Sequence, residues 1–129
     1  MTQEDKELLL KDLCARLPYG VKASYYGAEE ERETWDEIGC ITFDGYVEIG
    51  QYSLSIESIK PYLFPMSSMT DEEWEDYQKI RMIDWVHGDI NGTFINAGLI
   101  VDWLNAHHFD YRGLIEKGLA IDATGLNIY

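Results

Sequence analysis

The sequence predicts an α+β fold: one domain over residues 1–129, with an antiparallel sheet built around a hairpin and packed by about three helices. Three observations point there. The helical and strand-like patterns are segregated, a helix first, then strands, then helices, without the βαβ alternation of a parallel sheet. Asp44-Gly45 lies between two strand-like runs, 35–43 and 46–54, as a two-residue hairpin turn would. Thr70-Asp71-Glu72-Glu73 reads as a capping box opening a helix.

The elements follow in order. Thr2 caps a first helix with Asp5 in its first turn, and Leu9, Leu10, Leu13, Cys14 and Leu17 share a stripe roughly 140° wide. Pro18-Tyr19-Gly20 ends that helix, and 21–26 reads as a strand leading into an acidic loop, 27–34. A turn confined to Asp44-Gly45 sets Phe43 against Tyr46, Ile41 against Glu48, Gly39 against Gly50 and Trp35 against Leu54. The facing glycines leave a hollow among aromatic side chains. Both hairpin faces are substantially apolar, so the hairpin is either interior or one face is an interface; a homodimer follows if no helix covers it.

Pro61 and Pro65 restrict 56–64 to a strand end, a short helical turn or an irregular crossing. The capped helix has Trp74, Tyr77 and Ile80 on its early apolar face, and 87–93 reads as a loop. A third helix over 95–107 has a narrow polar edge at Asp102 and Asn105, which marks it as the central helix. Asp110 caps a turn over 111–117, and 118–122 closes the sheet.

The balance of 24 acidic against 10 basic side chains, a formal charge of −14, argues against direct binding to nucleic acid or anionic membrane. The charged start 1–6 lacks a signal-peptide core, and 97–101, the longest apolar run, is far short of a span, which suggests a cytoplasmic setting. There Cys14 and Cys40 are expected as free, buried thiols.

Two segments, Ile59-Lys60-Pro61-Tyr62-Leu63-Phe64-Pro65-Met66-Ser67-Ser68-Met69-Thr70 and the run from Trp103-Leu104-Asn105-Ala106-His107-His108-Phe109-Asp110-Tyr111-Arg112 to Ala120, together with the opening 10–21, resemble a group of small uncharacterised proteins of gut Bacteroidetes and their mobile elements. The resemblance implies a bacterial or phage cytoplasmic setting. It implies no activity, cofactor or catalytic residue.

Two constellations bear on chemistry. Asp84, His87, Asp89 and His107 offer carboxylate and imidazole ligands to a divalent cation, with Asp84, His87 and His107 the catalytic candidates of a metal-dependent hydrolase, although the spacing matches no demanding metal signature. The ordinary reading of His107 is a partly buried imidazole with one satisfied nitrogen; His108 and Asp110 read as capping groups at a helix end. No nucleophile motif surrounds Cys14, Cys40, Ser67 or Ser68, and no phosphate loop is present, so no cofactor is called for.

The second constellation is acidity with aromatic content, nine Tyr, four Trp and four Phe. Aromatic anchors and surplus carboxylates suit a basic protein partner. The expectation is a small non-catalytic interaction or regulatory protein, in its sharper form an acidic inhibitor of a nucleic-acid-binding partner. Its candidate contacts are Glu29, Glu30, Glu31 and Glu33, and Asp71, Glu72, Glu73 and Glu75.

Overall fold

The computed structural model describes residues 1–25, 34–87 and 90–129, and for 82–87 and 90–97 the course of the helical backbone. The fold is α+β, as the element order predicts, with three helices and a seven-stranded, mostly antiparallel sheet among the described residues.

Helix α1, Gln3–Arg16, starts at a reciprocal capping box: the Asp5 N–H donates to the Thr2 hydroxyl and the Thr2 N–H to the Asp5 carboxylate. It ends through a 3-10 turn, Leu17–Tyr19, at Gly20, whose φ of 76° is the left-handed conformation a helix stop favours. The buried stripe is rotated from the expected one. Leu9 and Leu13 are fully buried, but the flank beside them that turns inward carries Asp12 and Arg16, while Cys14, on the far flank, is exposed. The two charges pair with each other at i, i+4, which is what makes their burial tolerable. Both thiols are free, but neither is buried: Cys40 is only partly covered.

The sheet runs in the order β4-β3-β2-β1-β5-β6, with β7 also on β5. Its strands are β1 Lys22–Tyr25, β2 Thr34–Ile41, β3 Tyr46–Ile49, β4 Tyr52–Ser55, β5 Ile59–Pro65, β6 Phe109–Asp110 and β7 Ile121–Asp122. The hairpin at Asp44-Gly45 joins β2 to β3, one residue away from the expected register. The Thr42 N–H donates to the Tyr46 carbonyl, Ile41 pairs with Val47 and Cys40 with Glu48. The loop therefore has three residues, closed by Gly45 at φ 87° and held by the Thr42 hydroxyl, which contacts the Asp44 carboxylate and accepts from the Tyr46 N–H.

An irregularity at Gly39 then shifts the register again, so that Ile38 meets Ile49. Gly50 does not face Gly39. It turns the chain at φ 58° into β4, where Ile49 pairs with Tyr52, and the expected strand 46–54 is two strands and a tight turn. The hollow is absent for the same reason. Ile38, Val47 and Ile49 face the core, whereas Phe43 at the hairpin tip is wholly exposed.

Of the forms the prolines allow, 56–58 takes the short helical turn, but 59–65 is a full strand and not only a strand end. After a 3-10 turn, Ile56–Ser58, β5 pairs antiparallel with β1 over 59–61, then parallel with β7 at Tyr62 and Leu63 and with β6 at Phe64 and Pro65. Pro61, which has no N–H to donate, stands opposite Ala23, the last pair before the strand changes partners. Continuing the β1–β5 register would set Lys22 against Tyr62. Instead the Tyr129 hydroxyl stands between them, accepting from the Lys22 N–H and donating to the Tyr62 carbonyl, each at 2.9 Å.

One sheet face buries Val21, Ala23, Tyr25, Ile38, Val47, Ile49, Ile59 and Leu63 against Leu9 and Leu13 of α1 and against Leu114, Leu119 and Ala120. The alternate positions of β5, Tyr62 and Phe64, pack with Ala123 and Ile128 in a smaller second cluster.

Helices α2, Asp71–His87, and α3, Ile90–Ala106, form a hairpin. Helix α2 runs through His87 and α3 starts at Ile90, so residues 87 and 90–93 of the expected loop are helical, and 88–89 lie outside the described residues. Helix α3 is not the central helix. Leu99 and Val101 are exposed, and Asn105, expected on the polar edge, is buried because its C-terminal turn docks on the body. No helix among the described residues is long and apolar enough to cross a membrane.

Candidate functional site

Helix α2 stands on the capping box the sequence predicts. The Thr70 N–H donates to Glu73 Oε1 at 3.0 Å and the Glu73 N–H to the Thr70 hydroxyl at 3.1 Å. The box aims the first turn: Asp71, Glu72 and Glu75 are exposed, and Glu73 is half-buried beside the cap. Helix α2 packs chiefly on α3, and α3 reaches the body through β6 and α1.

Along the seam between the helices runs a series of ring contacts. Trp74, 52% exposed, leans on Tyr77 at 6.0 Å, Tyr77 on Trp103 at 5.7 Å, and Trp103 stacks on His107 at 4.1 Å and on Phe109 at 5.7 Å. From Phe109 the series continues through Phe64 and Tyr129 to His108. It thus joins an exposed tryptophan to the buried second cluster. The Arg81 guanidinium lies over Tyr77.

A polar network fixes the docked end of α3. Asp12, fully buried, accepts from Arg16 Nε at 2.7 Å and from Arg112 Nη1 at 2.8 Å. Arg16 also donates to the Phe109 carbonyl, while the Tyr111 hydroxyl accepts from Arg112 and donates to Asn105 Oδ1. Both guanidinium groups lie over the Tyr111 ring. Burial and the nearby charge of Asp102 raise the Tyr19 hydroxyl above its ordinary value. Asp110 does cap the following turn, its two oxygens accepting from the Leu114 and Ile115 N–H groups. Sequence reasoning missed this network; its signal was the i, i+4 pair Asp12/Arg16 flanking Leu9 and Leu13.

The two histidines part ways. His107 is exposed, contrary to expectation, although its Nδ1 does lie 2.9 Å from the Trp103 carbonyl oxygen. His108 adopts φ 62°, stacks on Tyr129 and is the less accessible of the two. Burial, with Arg16, His107 and Lys22 nearby, lowers its imidazole to about 4, and burial raises the Tyr129 hydroxyl to about 12.

Of the predicted site residues, Glu29, Glu30, Glu31 and Glu33 lie outside the described residues, as do Asp89 and the side chains of Asp84 and His87. Among the described residues no three His, Cys, Asp or Glu side chains converge as metal ligands. Cys40 hydrogen-bonds Glu48 at 2.9 Å, which raises the thiol and keeps it protonated, the opposite of nucleophile activation. The Ser68 hydroxyl is taken up by the Pro65 carbonyl.

Two concavities flank the end of β5. One of about 470 Å³ is lined by Met66, Ser67, Asp110, Tyr111 and Glu116, but both Asp110 oxygens and the Tyr111 hydroxyl are already engaged. The other, of about 190 Å³, lies at the foot of α2 among Phe64, Ser68, Thr70, Glu73, Phe109 and Thr124. No family model, curated protein or solved structure matches the chain. The reading of the site therefore rests on its own geometry.

Proposed function

We propose that the protein is a non-catalytic binding module whose α2–α3 hairpin holds a basic protein partner. Trp74 carries this reading: a large aromatic side chain left half-exposed on a ring-stacked seam, on the helix that presents Asp71, Glu72 and Glu75 to solvent. An exposed Trp on a fixed support is the usual anchor of a protein interface, and carboxylates around it select a cationic surface and speed encounter. The chain's charge of −14 adds long-range attraction of the same sign. A nucleic-acid-binding protein is one such partner, its basic face occupied by the carboxylates, which makes the protein an acidic inhibitor.

The test is capture from lysate of the source cell by the tagged protein, at low and high salt, beside Trp74→Ala and the triple variant Asp71→Asn, Glu72→Gln, Glu75→Gln. A basic protein retained only by the wild type, and released at high salt, is the expected result. Equal capture by all three proteins refutes the reading.

A further inference from the structure

The concavity at the foot of α2 lies against the same seam, since its wall residue Phe109 stacks on Trp103. At about 190 Å³ it is smaller than the roughly 300–1,000 Å³ of small-molecule sites and suits one side chain. Its lining combines two aromatic rings, Phe64 and Phe109, with one carboxylate, Glu73, and the hydroxyl-bearing Ser68, Thr70 and Thr124. Among the described residues no basic one lines it.

Resting on the reading of the hairpin as a binder of basic proteins, the geometry points to this concavity as the pocket for a single arginine side chain of the partner. A guanidinium is planar, stacks on aromatic rings and is more weakly hydrated than an ammonium, so it loses less on entering a partly apolar hole. Glu73 supplies the counter-charge. Its Oε1 accepts the Thr70 N–H, and among the described residues Oε2 has no hydrogen-bond partner, which leaves it for the incoming group. The α2 N-terminus carries about half a positive charge, opposed to a cation, but Asp71, Glu72 and Glu73 in the first turn outweigh it. The capping box holds the Glu73 carboxylate in place, so little side-chain freedom is lost on binding.

The probe is an arginine nonapeptide titrated into the full chain, with lysine and citrulline nonapeptides of the same length as controls. The Trp103 indole signal in NMR reports occupancy beside Phe109. Glu73→Gln removes the charge but keeps a capping-box residue, and Thr124→Tyr fills the hole; thermal melts establish that both fold. Arginine binding that shifts Trp103, weakens tenfold or more in Glu73→Gln and less than threefold in Asp71→Asn, and is lost in Thr124→Tyr, is the expected outcome. Equal binding of the lysine peptide, or equal weakening by Glu73→Gln and Asp71→Asn, overturns the pocket. Binding abolished by Trp74→Ala yet untouched by Glu73→Gln overturns the pocket alone and leaves the broader reading standing; absence of binding to the wild type overturns both.

Discussion

Asp12→Ala breaks the polar network at its centre. The wild-type carboxylate is fully buried and accepts two charge-assisted hydrogen bonds, from Arg16 at 2.7 Å and Arg112 at 2.8 Å. Bonds of that kind contribute about 1.5–3 kcal/mol each. The Arg112 bond belongs at the low end, because that side chain is 18% exposed and keeps the Tyr111 hydroxyl. Arg16 has no such relief: it is fully buried, and among the described residues its Nη1 has no hydrogen-bond partner even in the wild type and without Asp12 only the Phe109 carbonyl remains. The expected loss is about 3–5 kcal/mol, the usual cost of stranding one member of a buried ion pair. Against a total of roughly 5–15 kcal/mol for a domain, that is a large fraction of the stability. Urea denaturation followed by tryptophan fluorescence measures it. The double variant Asp12→Leu, Arg16→Met, which removes both buried charges, should recover most of the loss. A single-variant loss below about 1 kcal/mol, or a double variant no more stable than Asp12→Ala, would refute the argument that the pair is needed because each charge would otherwise be buried alone.

Other outcomes follow from single side chains. Trp74→Ala should leave the unfolding free energy within about 0.5 kcal/mol of wild type, since the ring is 52% exposed, while partner capture falls at least tenfold. The His108 imidazole titrates at about 4 in the folded chain, below its ordinary value of 6.5, so the unfolded chain binds the extra proton first as the solution is acidified. Stability from this group is complete above pH 6.5 and lost as pH falls towards 4; in His108→Asn, which tolerates the positive φ, the urea midpoint should fall less over that window. Tyr129→Phe leaves the Lys22 N–H and the Tyr62 carbonyl without their bridge, at a cost of about 1–3 kcal/mol in urea denaturation. Gly50→Ala should lower the unfolding free energy by about 1 kcal/mol or more, because φ is 58° and the new Cβ would sit 2.7 Å from the Tyr25 hydroxyl oxygen.

Features written in local chemistry were legible from the residues: the two capping boxes, the stop at Gly20, the hairpin turn at Asp44-Gly45 and the Asp110 cap. Each is decided within five residues, by side chains that satisfy nearby backbone groups or by a glycine that takes a positive φ. What escaped depends on distant partners. The hairpin register turned on a Thr42–Asp44 hydrogen bond that makes the loop one residue longer. The course of β5 turned on a strand that changes partners at a proline. The Asp12–Arg16 pair is local, but Asp12 and the buried Asn105 also need Arg112 and Tyr111, about a hundred residues after Asp12. The acidic cluster at 71–75 was visible as charge, but the exposed seam beside it was not: the pattern marks Trp74 and Tyr77 only as an apolar helix face, and that Trp74 stays half-exposed follows from α2 packing chiefly on one neighbour.

The hydroxyl between β1 and β5 also bears on the order of assembly. Lys22 and Tyr129 are 107 residues apart, so the seam joining the first strand to the fifth is closed by a group from the far end of the sequence. During synthesis, α1 and the hairpin can form from what has already emerged, but this rung of the ladder waits for residue 129. Long loops must close before such a contact returns anything, which slows folding relative to a chain of local contacts. Until then the seam between β1 and β5 lacks the hydroxyl that bridges the Lys22 N–H to the Tyr62 carbonyl.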